Sequence, residues 1–222
     1  MPGVTQILAE EITSAAGAKV PVERAGTRTW RMAPVAYARS TVPQAMALLN
    51  SYLAPRVHHE QGNINQESKD VINDQILIRV TKRSADDESP TPEGVHQDGT
   101  EISSVTVLSR SQVESGGESR IWSLDQPTGN YSSGEFGHMK RRPSIETPVG
   151  FDWNNCLFNK ALTEPWETVY FNDREVKHEA RGFDGQRPCK RDVLVNFVRK
   201  PLKDGSDMMK VGPAEMDVTS IL

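Results

Sequence analysis

The run Arg191-Asp-Val-Leu-Val-Asn-Phe-Val-Arg199 constrains this chain most. It is rich in β-branched and aromatic side chains and holds no Gly or Pro, so it reads as a strand, and a strand needs partners. Several are available. Residues 71–82 contain Ile76-Leu-Ile-Arg-Val-Thr-Lys82, dominated by β-branched side chains and expected to be buried at its centre. Residues 102–108 alternate, Gly116-Gly117 breaks the chain, and residues 118–124 form another strand. Residues 162–173 read as turn, strand, turn. Residues 175–180 follow, and residues 182–189, with two glycines and a proline, read as a further turn. Short strands separated by Gly- and Pro-containing turns point to a mainly β protein, a jelly roll of cupin-like form with supporting α-helices. No period of 20 to 50 residues repeats, which excludes a solenoid.

The helices are expected early. Val4, Ile7, Leu8, Ile12 and Ala15 are spaced as on an amphipathic helix over residues 1–16. Glu10 and Glu11 lie where a signal peptide would be apolar. Residues 21–39 hold one short strand. Ser40-Thr-Val-Pro43 is a helix start, with Ala45, Met46, Leu48, Leu49 and Tyr52 as the apolar face and Pro55 as the stop. The 222 residues are expected to form one domain. In it, 1–70 is mostly helical N-terminal support, 71–200 the jelly-roll core and 201–222 a tail. A net charge of −4 argues against a nucleic-acid partner, which would require a basic stripe. No run of eighteen apolar residues is present, so no membrane partner is expected and the chain is placed in the cytoplasm. Cys156 and Cys189 lie in no CxxC or CxxH arrangement and read as reduced thiols. A homodimer is left open.

Chemistry concentrates in Glu93-Gly-Val-His96-Gln-Asp98-Gly99, at the head of the strand that starts at Ile102. Residues two apart on extended chain point the same way, so His96 and Asp98 aim at one point. The third corner of a metal site is expected from His178, far along the chain in Val176-Lys-His-Glu-Ala180. Two His and one carboxylate on one face of a metal leave open positions and suit a non-haem iron(II) oxygenase. A 2-oxo acid can fill two of those positions, and its far carboxylate needs a cation. Arg191, at the mouth of the next strand, is the first choice because a planar guanidinium matches a carboxylate with two hydrogen bonds. Arg187 and Lys190 are rivals, and a strand-capping or ion-pairing role for Arg191 is the alternative. His58 and His59 read as a surface loop. His138 lies without spaced partners in the long segment 126–150, and Lys140-Arg141-Arg142 there reads as a solvated patch. That segment is either a lid or an uninvolved excursion.

These pieces together resemble a known family. The residues are Glu93-Gly-Val-His96-Gln-Asp98-Gly99, Gly116-Gly117 with Ile121-Trp-Ser-Leu-Asp125, Leu162…Pro165…Asp173…Val176-Lys-His178, and Arg191-Asp-Val-Leu-Val195. They are similar to the bacterial 2-oxoglutarate/iron(II) dioxygenases of the L-isoleucine dioxygenase type, which include biofilm stress and motility protein A homologues. The resemblance covers residues 76–200. It implies a double-stranded β-helix with His96, Asp98 and His178 as iron ligands and Arg191 as the anchor of 2-oxoglutarate. It also implies dioxygen as oxidant, a small-molecule substrate such as a free aliphatic L-amino acid, and hydroxylation coupled to decarboxylation of 2-oxoglutarate to succinate. Arg120, Glu93 and Glu101 are substrate-binding candidates by sequence proximity alone. A jelly-roll sensor that retains the metal and a cupin enzyme that needs no 2-oxo acid are the alternatives.

Overall fold

The computed structural model of the chain describes residues 3–8, 11–13, 19–21, 26–31, 35–53, 71–84, 90–91, 94–129, 151–201 and 203. His58, His59, Glu93, His138, the 140–142 basic run and all but two residues of the expected tail lie outside them.

Two sheets form the body. The larger orders four antiparallel strands as β5 (Ile72–Lys82), β11 (Phe183–Arg199), β6 (Ile102–Gly116) and β9 (Thr168–Phe171). The smaller orders β10 (Val176–Ala180), β7 (Glu118–Ser123) and β8 (Cys156–Ala161), with the single 3-10 turn Trp153–Asn155 leading into β8. This is the expected jelly roll, mainly β with few helices. The run beginning at Arg191 lies in the long central strand, paired on both sides.

The two sheets share one bent ribbon. Strand β6 passes into β7 as β10 passes into β11, and the two stay paired through the bend: Arg181 N–H donates to Glu118 O at 2.8 Å and Gly117 N–H to Gly182 O at 3.0 Å. Gly116 and Gly117 both have positive φ, 75° and 78°, a conformation that only glycine adopts without strain. A side chain at Gly116 would also collide with the backbone of Gly182 and Phe183. The glycine pair that looked like a break is the hinge that carries one ladder from sheet to sheet.

Alternation sorts the side chains. Val193 and Val195 of β11, Val105 and Val107 of β6, Val169 of β9 and Ile78 of β5 pack with Leu162 and with Phe158 of the smaller sheet. That cluster is the inter-sheet core. Each fully buried Val or Leu there contributes about 1.5–3 kcal/mol. The outer face of the larger sheet carries α2 (Thr41–Leu53), which follows the short α1 (Val35–Ala38). Asn50 donates to Asn73 Oδ1 at 3.0 Å, and Gln75 donates to Pro43 O at 3.1 Å.

Several expectations are corrected. The described residues of 1–16 are not helical: β1 (Gly3–Leu8) pairs with β4 (Gly26–Arg31), and β2 (Glu11–Thr13) pairs with β3 (Lys19–Pro21). Val4, Ile7, Leu8 and Ile12 fit a helical period, but their branched side chains suit a ladder equally, and residues 26–31 supply the partner of the first three and Val20 that of Ile12. Among the described residues, the N-terminal part therefore holds four short strands beside its two helices. Helix α2 starts where expected, but its buried positions are Pro43, Ala47 and Asn50, while Leu49 and Tyr52 are exposed. The hydrogen bonds to Asn73 and Gln75 fix that rotation. The centre of β5 is half-buried, because β5 is the sheet edge and Leu77 and Arg79 face out. Residues 182–189 do not turn. Residues 183–189 belong to β11, whose register against β6 shifts between Gly185 and Lys190. Gly185 lies so close to the Gln112 carbonyl that a Cβ would not fit, so its glycine serves backbone approach rather than a turn.

Candidate metal centre

His96 and His178 meet as directly opposed residues of an isolated antiparallel bridge. Each N–H donates to the other's carbonyl, at 3.0 and 2.9 Å. Opposed residues project to one side, and His178 is in turn opposed to Ile121, and Ile121 to Phe158. Phe158 belongs to the inter-sheet core, and the Phe171 ring of the larger sheet lies 4.7 Å from the His178 ring. Both imidazoles therefore face the interior of the jelly roll.

Asp98 completes the group. Its Oδ1 is 3.6 Å from His96 Nε2 and its Oδ2 is 3.2 Å from His178 Nε2. One ligand atom from each of the three residues can be chosen so that all lie within 4.8 Å of one another. Three donors on one face of an octahedral ion, bound at about 2.1 Å, would stand about 3 Å apart, so the donor set fits a divalent metal with little movement. Asp98 is the most open of the three, 26% exposed against 13% for His96 and 11% for His178.

The far nitrogens of both rings are also held. His96 Nδ1 lies 2.8 Å from Gly94 O, and a carbonyl can only accept, so Nδ1 carries the proton and Nε2 offers its lone pair. His178 Nδ1 lies 3.1 Å from Asp173 Oδ1. Burial alone would keep His178 neutral, but Asp173 and Asp98 outweigh it and raise its imidazolium to about 9. Burial likewise works against the Asp98 anion, and His178 and His96 hold its carboxyl below the usual range. The space between these groups favours positive charge, which a metal ion supplies as well as a proton does.

Arg191 lies on the facing sheet. Its register partner on β5 is Val80, and that of Val193 is Ile78, so Arg191 shares the inner face with the core valine two residues on. It is 2% exposed, and its Nε and Nη2 have no hydrogen-bond partner among the described residues. Burial and the neighbouring Arg110 pull its pKa down to about 10, with Glu118 opposing. A guanidinium this deep with two unanswered nitrogens has hydrogen-bonding capacity that an anion could take up. The alternative partners are engaged elsewhere. Asp192 takes Arg79 in a two-pronged pair at 2.7 and 2.8 Å, and Asp173 faces His178. Of the rivals, Arg187 pairs with Asp184 and donates to Gly185 O at 2.9 Å. Lys190 is only half-buried and, one residue from Arg191, lies on the other face of β11.

The substrate candidates fare differently. Arg120 is opposed to Glu179 and lies on the face of β7 away from Ile121 and His178. There it approaches Glu179 at 3.3 Å, donates to Asn159 at 3.0 Å and covers the Trp153 ring, so it does not face the metal group. Glu101 is buried and accepts from Lys200 N–H at 3.0 Å. Two contributors escaped sequence reasoning. Asp173 stands among the residues that carry the resemblance, but its turn Asn172-Asp-Arg-Glu175 gives it no role, and Phe171 reads as ordinary strand filling. The described cysteines are free thiols, and no described helix is long and apolar enough to cross a membrane.

A family model described as 2OG-Fe dioxygenase matches residues 28–197. No curated protein matches the chain. Among solved structures, the Fe(II)/(alpha)ketoglutarate-dependent dioxygenase TqaL is similar at 18% identity and TM-score 0.60, over 81% of this chain and 63% of that one. A bsmA homolog from Methylobium petroleophilum PM1 is similar at 19% identity and TM-score 0.54, over 81% and 59%. IDO from Bacillus thuringiensis is similar at 15% identity and TM-score 0.53, over 78% and 62%. At these identities the likeness is one of fold, and the chain spans about three fifths of the length of each.

Proposed function

The chain belongs to the 2OG-Fe dioxygenase family, and on that premise we propose that it hydroxylates a free aliphatic L-amino acid or a small molecule of that kind. Membership brings iron(II), 2-oxoglutarate and dioxygen as cofactor and co-substrates. The finer assignment, to the L-isoleucine dioxygenase type, rests on the motif resemblance. In the reaction one atom of dioxygen ends in succinate and the other in the alcohol, with carbon dioxide released.

The observation that carries the reading is the bridge between His96 and His178, which brings both imidazoles to Asp98 from opposite ends of the motif. In this reading His96, Asp98 and His178 hold the iron, and Arg191 receives the distal carboxylate of 2-oxoglutarate. The iron supplies dioxygen activation when bound. The chain supplies position and dryness. Gly94 O and Asp173 face Nδ1 of each ring, which leaves Nε2 as the nitrogen for the metal, and Phe171 with the valine core keeps water from the inner side. The unanswered nitrogens of Arg191 weigh against a cupin enzyme that uses no 2-oxo acid, because such an enzyme has no use for a buried cation there. The same reading takes 71–200 as the jelly-roll core of one catalytic domain within 1–222.

Succinate release tests the proposal. Purified protein with iron(II), 2-oxoglutarate and air is assayed against the proteinogenic L-amino acids. The expected outcome is succinate formation stimulated by one or a few aliphatic members, with an equal amount of hydroxylated product. No stimulation by any of them would remove the amino-acid substrate.

A further inference from the structure

We propose that Asp173 is a positioning residue that locks both arms of the metal centre at once, one with each carboxylate oxygen. This deepens the iron-site reading above and rests on it. Asp173 is fully buried. Its Oδ2 accepts from Gly99 N–H at 2.5 Å and Thr100 N–H at 3.2 Å, the two amides that follow Asp98. Gly99 has φ of 80°, a turn that brings its amide and the next onto the same oxygen. The main-chain oxygen of Asp173 also accepts from Gln97 Nε2 at 2.7 Å. The other carboxylate oxygen, Oδ1, faces His178 Nδ1 at 3.1 Å. One buried side chain thus holds the loop that carries His96 and Asp98 with one oxygen and places the other within ion-pair distance of the distal imidazole.

The chemistry follows from what a carboxylate can do. Ionised, it only accepts, so His178 must present a proton from Nδ1. The neutral ring then keeps its lone pair on Nε2, the nitrogen 3.2 Å from Asp98. A carboxylate behind a metal-binding imidazole fixes tautomer and orientation and makes the ring a better donor. A residue that merely tied the loop to the turn would need only its Oδ2.

Asp173→Asn separates the two roles. An amide has one oxygen, and the two backbone N–H groups of Gly99 and Thr100 claim it. The amide nitrogen then faces His178 Nδ1 and donates to it, which moves the ring proton to Nε2 and blocks the metal-binding nitrogen. The variant should fold and lose metal. Cobalt(II) is the probe, titrated into metal-free wild type, Asp173→Asn and Asp173→Ala and followed by its visible d–d absorption. We expect Asp173→Asn to bind cobalt roughly 10- to 100-fold more weakly, while its metal-free melting temperature stays near that of wild type. Wild-type affinity with a wild-type spectrum in Asp173→Asn would overturn the positioning role and leave the metal centre standing. A wild type that takes up no cobalt would overturn the metal centre itself. Should neither variant fold, the zinc-loaded wild type decides by long-range proton–nitrogen NMR. A slowly exchanging proton on His178 Nδ1 is expected, and its absence would refute the role.

Discussion

Arg191 illustrates how much a single side chain can reveal when its surroundings are counted. A buried guanidinium with two unpartnered nitrogens costs stability in the free protein, and the proposed function gives that cost a purpose. Arg191→Met should therefore leave thermal stability unchanged or raise it. It should also weaken 2-oxoglutarate binding by at least about 2 kcal/mol, roughly thirtyfold. Calorimetry and an anaerobic 2-oxoglutarate titration measure the two effects, and a variant that is less stable yet binds normally would assign Arg191 a structural role. His96 and Asp98 were legible because a two-residue spacing on extended chain defines a shared direction without further information. Asp173 was not, since nothing local marks a turn aspartate as fully buried. Arg120 was misjudged because nearness in sequence does not say which face of a strand a residue occupies. One position from Ile121 puts it on the wrong side of the sheet.

At the scale of elements, the bend between β6 and β7 makes a sharp contrast. Gly116 has positive φ and no room for a Cβ, whereas Gly182, one residue before its register partner Phe183, has nothing within 4 Å of one. Gly116→Ala should destabilise by about 1–3 kcal/mol or more, and Gly182→Ala by less than about 0.5 kcal/mol. Chemical denaturation measures both, and equal costs would refute the hinge. The β8–β9 connection supplies a pH test. Glu167 accepts from Lys160 Nζ at 2.8 Å and from the Glu164 and Thr163 amides at 3.1 and 2.7 Å, which lowers its carboxyl to about 2. A depressed carboxyl stabilises above its ordinary value, near 4.5, and loses that contribution as the pH falls through about 2. Wild type should therefore exceed Glu167→Gln in melting temperature at pH 6, and the gap should close on acidification below pH 4. A gap independent of pH would show that the charge is immaterial. The turn reading of 182–189 failed for a physical reason: two glycines and a proline are local turn signals, but pairing of residues 183–185 with β6, and of Cys189 with β5, carries the chain on as an irregular stretch of strand.

For the whole molecule, the jelly roll was legible because its strands announce themselves through branched side chains and Gly or Pro punctuation. The N-terminal part was not. Val4, Ile7 and Leu8 satisfy two periods, and the choice is made by residues 26–31, which no local window contains. The same logic governs the centre. His178 meets His96 and Asp98 only because the fold lays β10 beside the loop that carries His96, a contact set by sheet order rather than by neighbouring sequence. The account as a whole therefore depends on those three side chains acting as one ligand set. Anaerobic addition of iron(II) and 2-oxoglutarate to wild type and Asp98→Ala, followed by the visible charge-transfer band of the chelate, tests this directly. The predicted result is a band that saturates at one iron per chain in wild type and is absent in the variant. No band in wild type, or an undiminished band in Asp98→Ala, would contradict it.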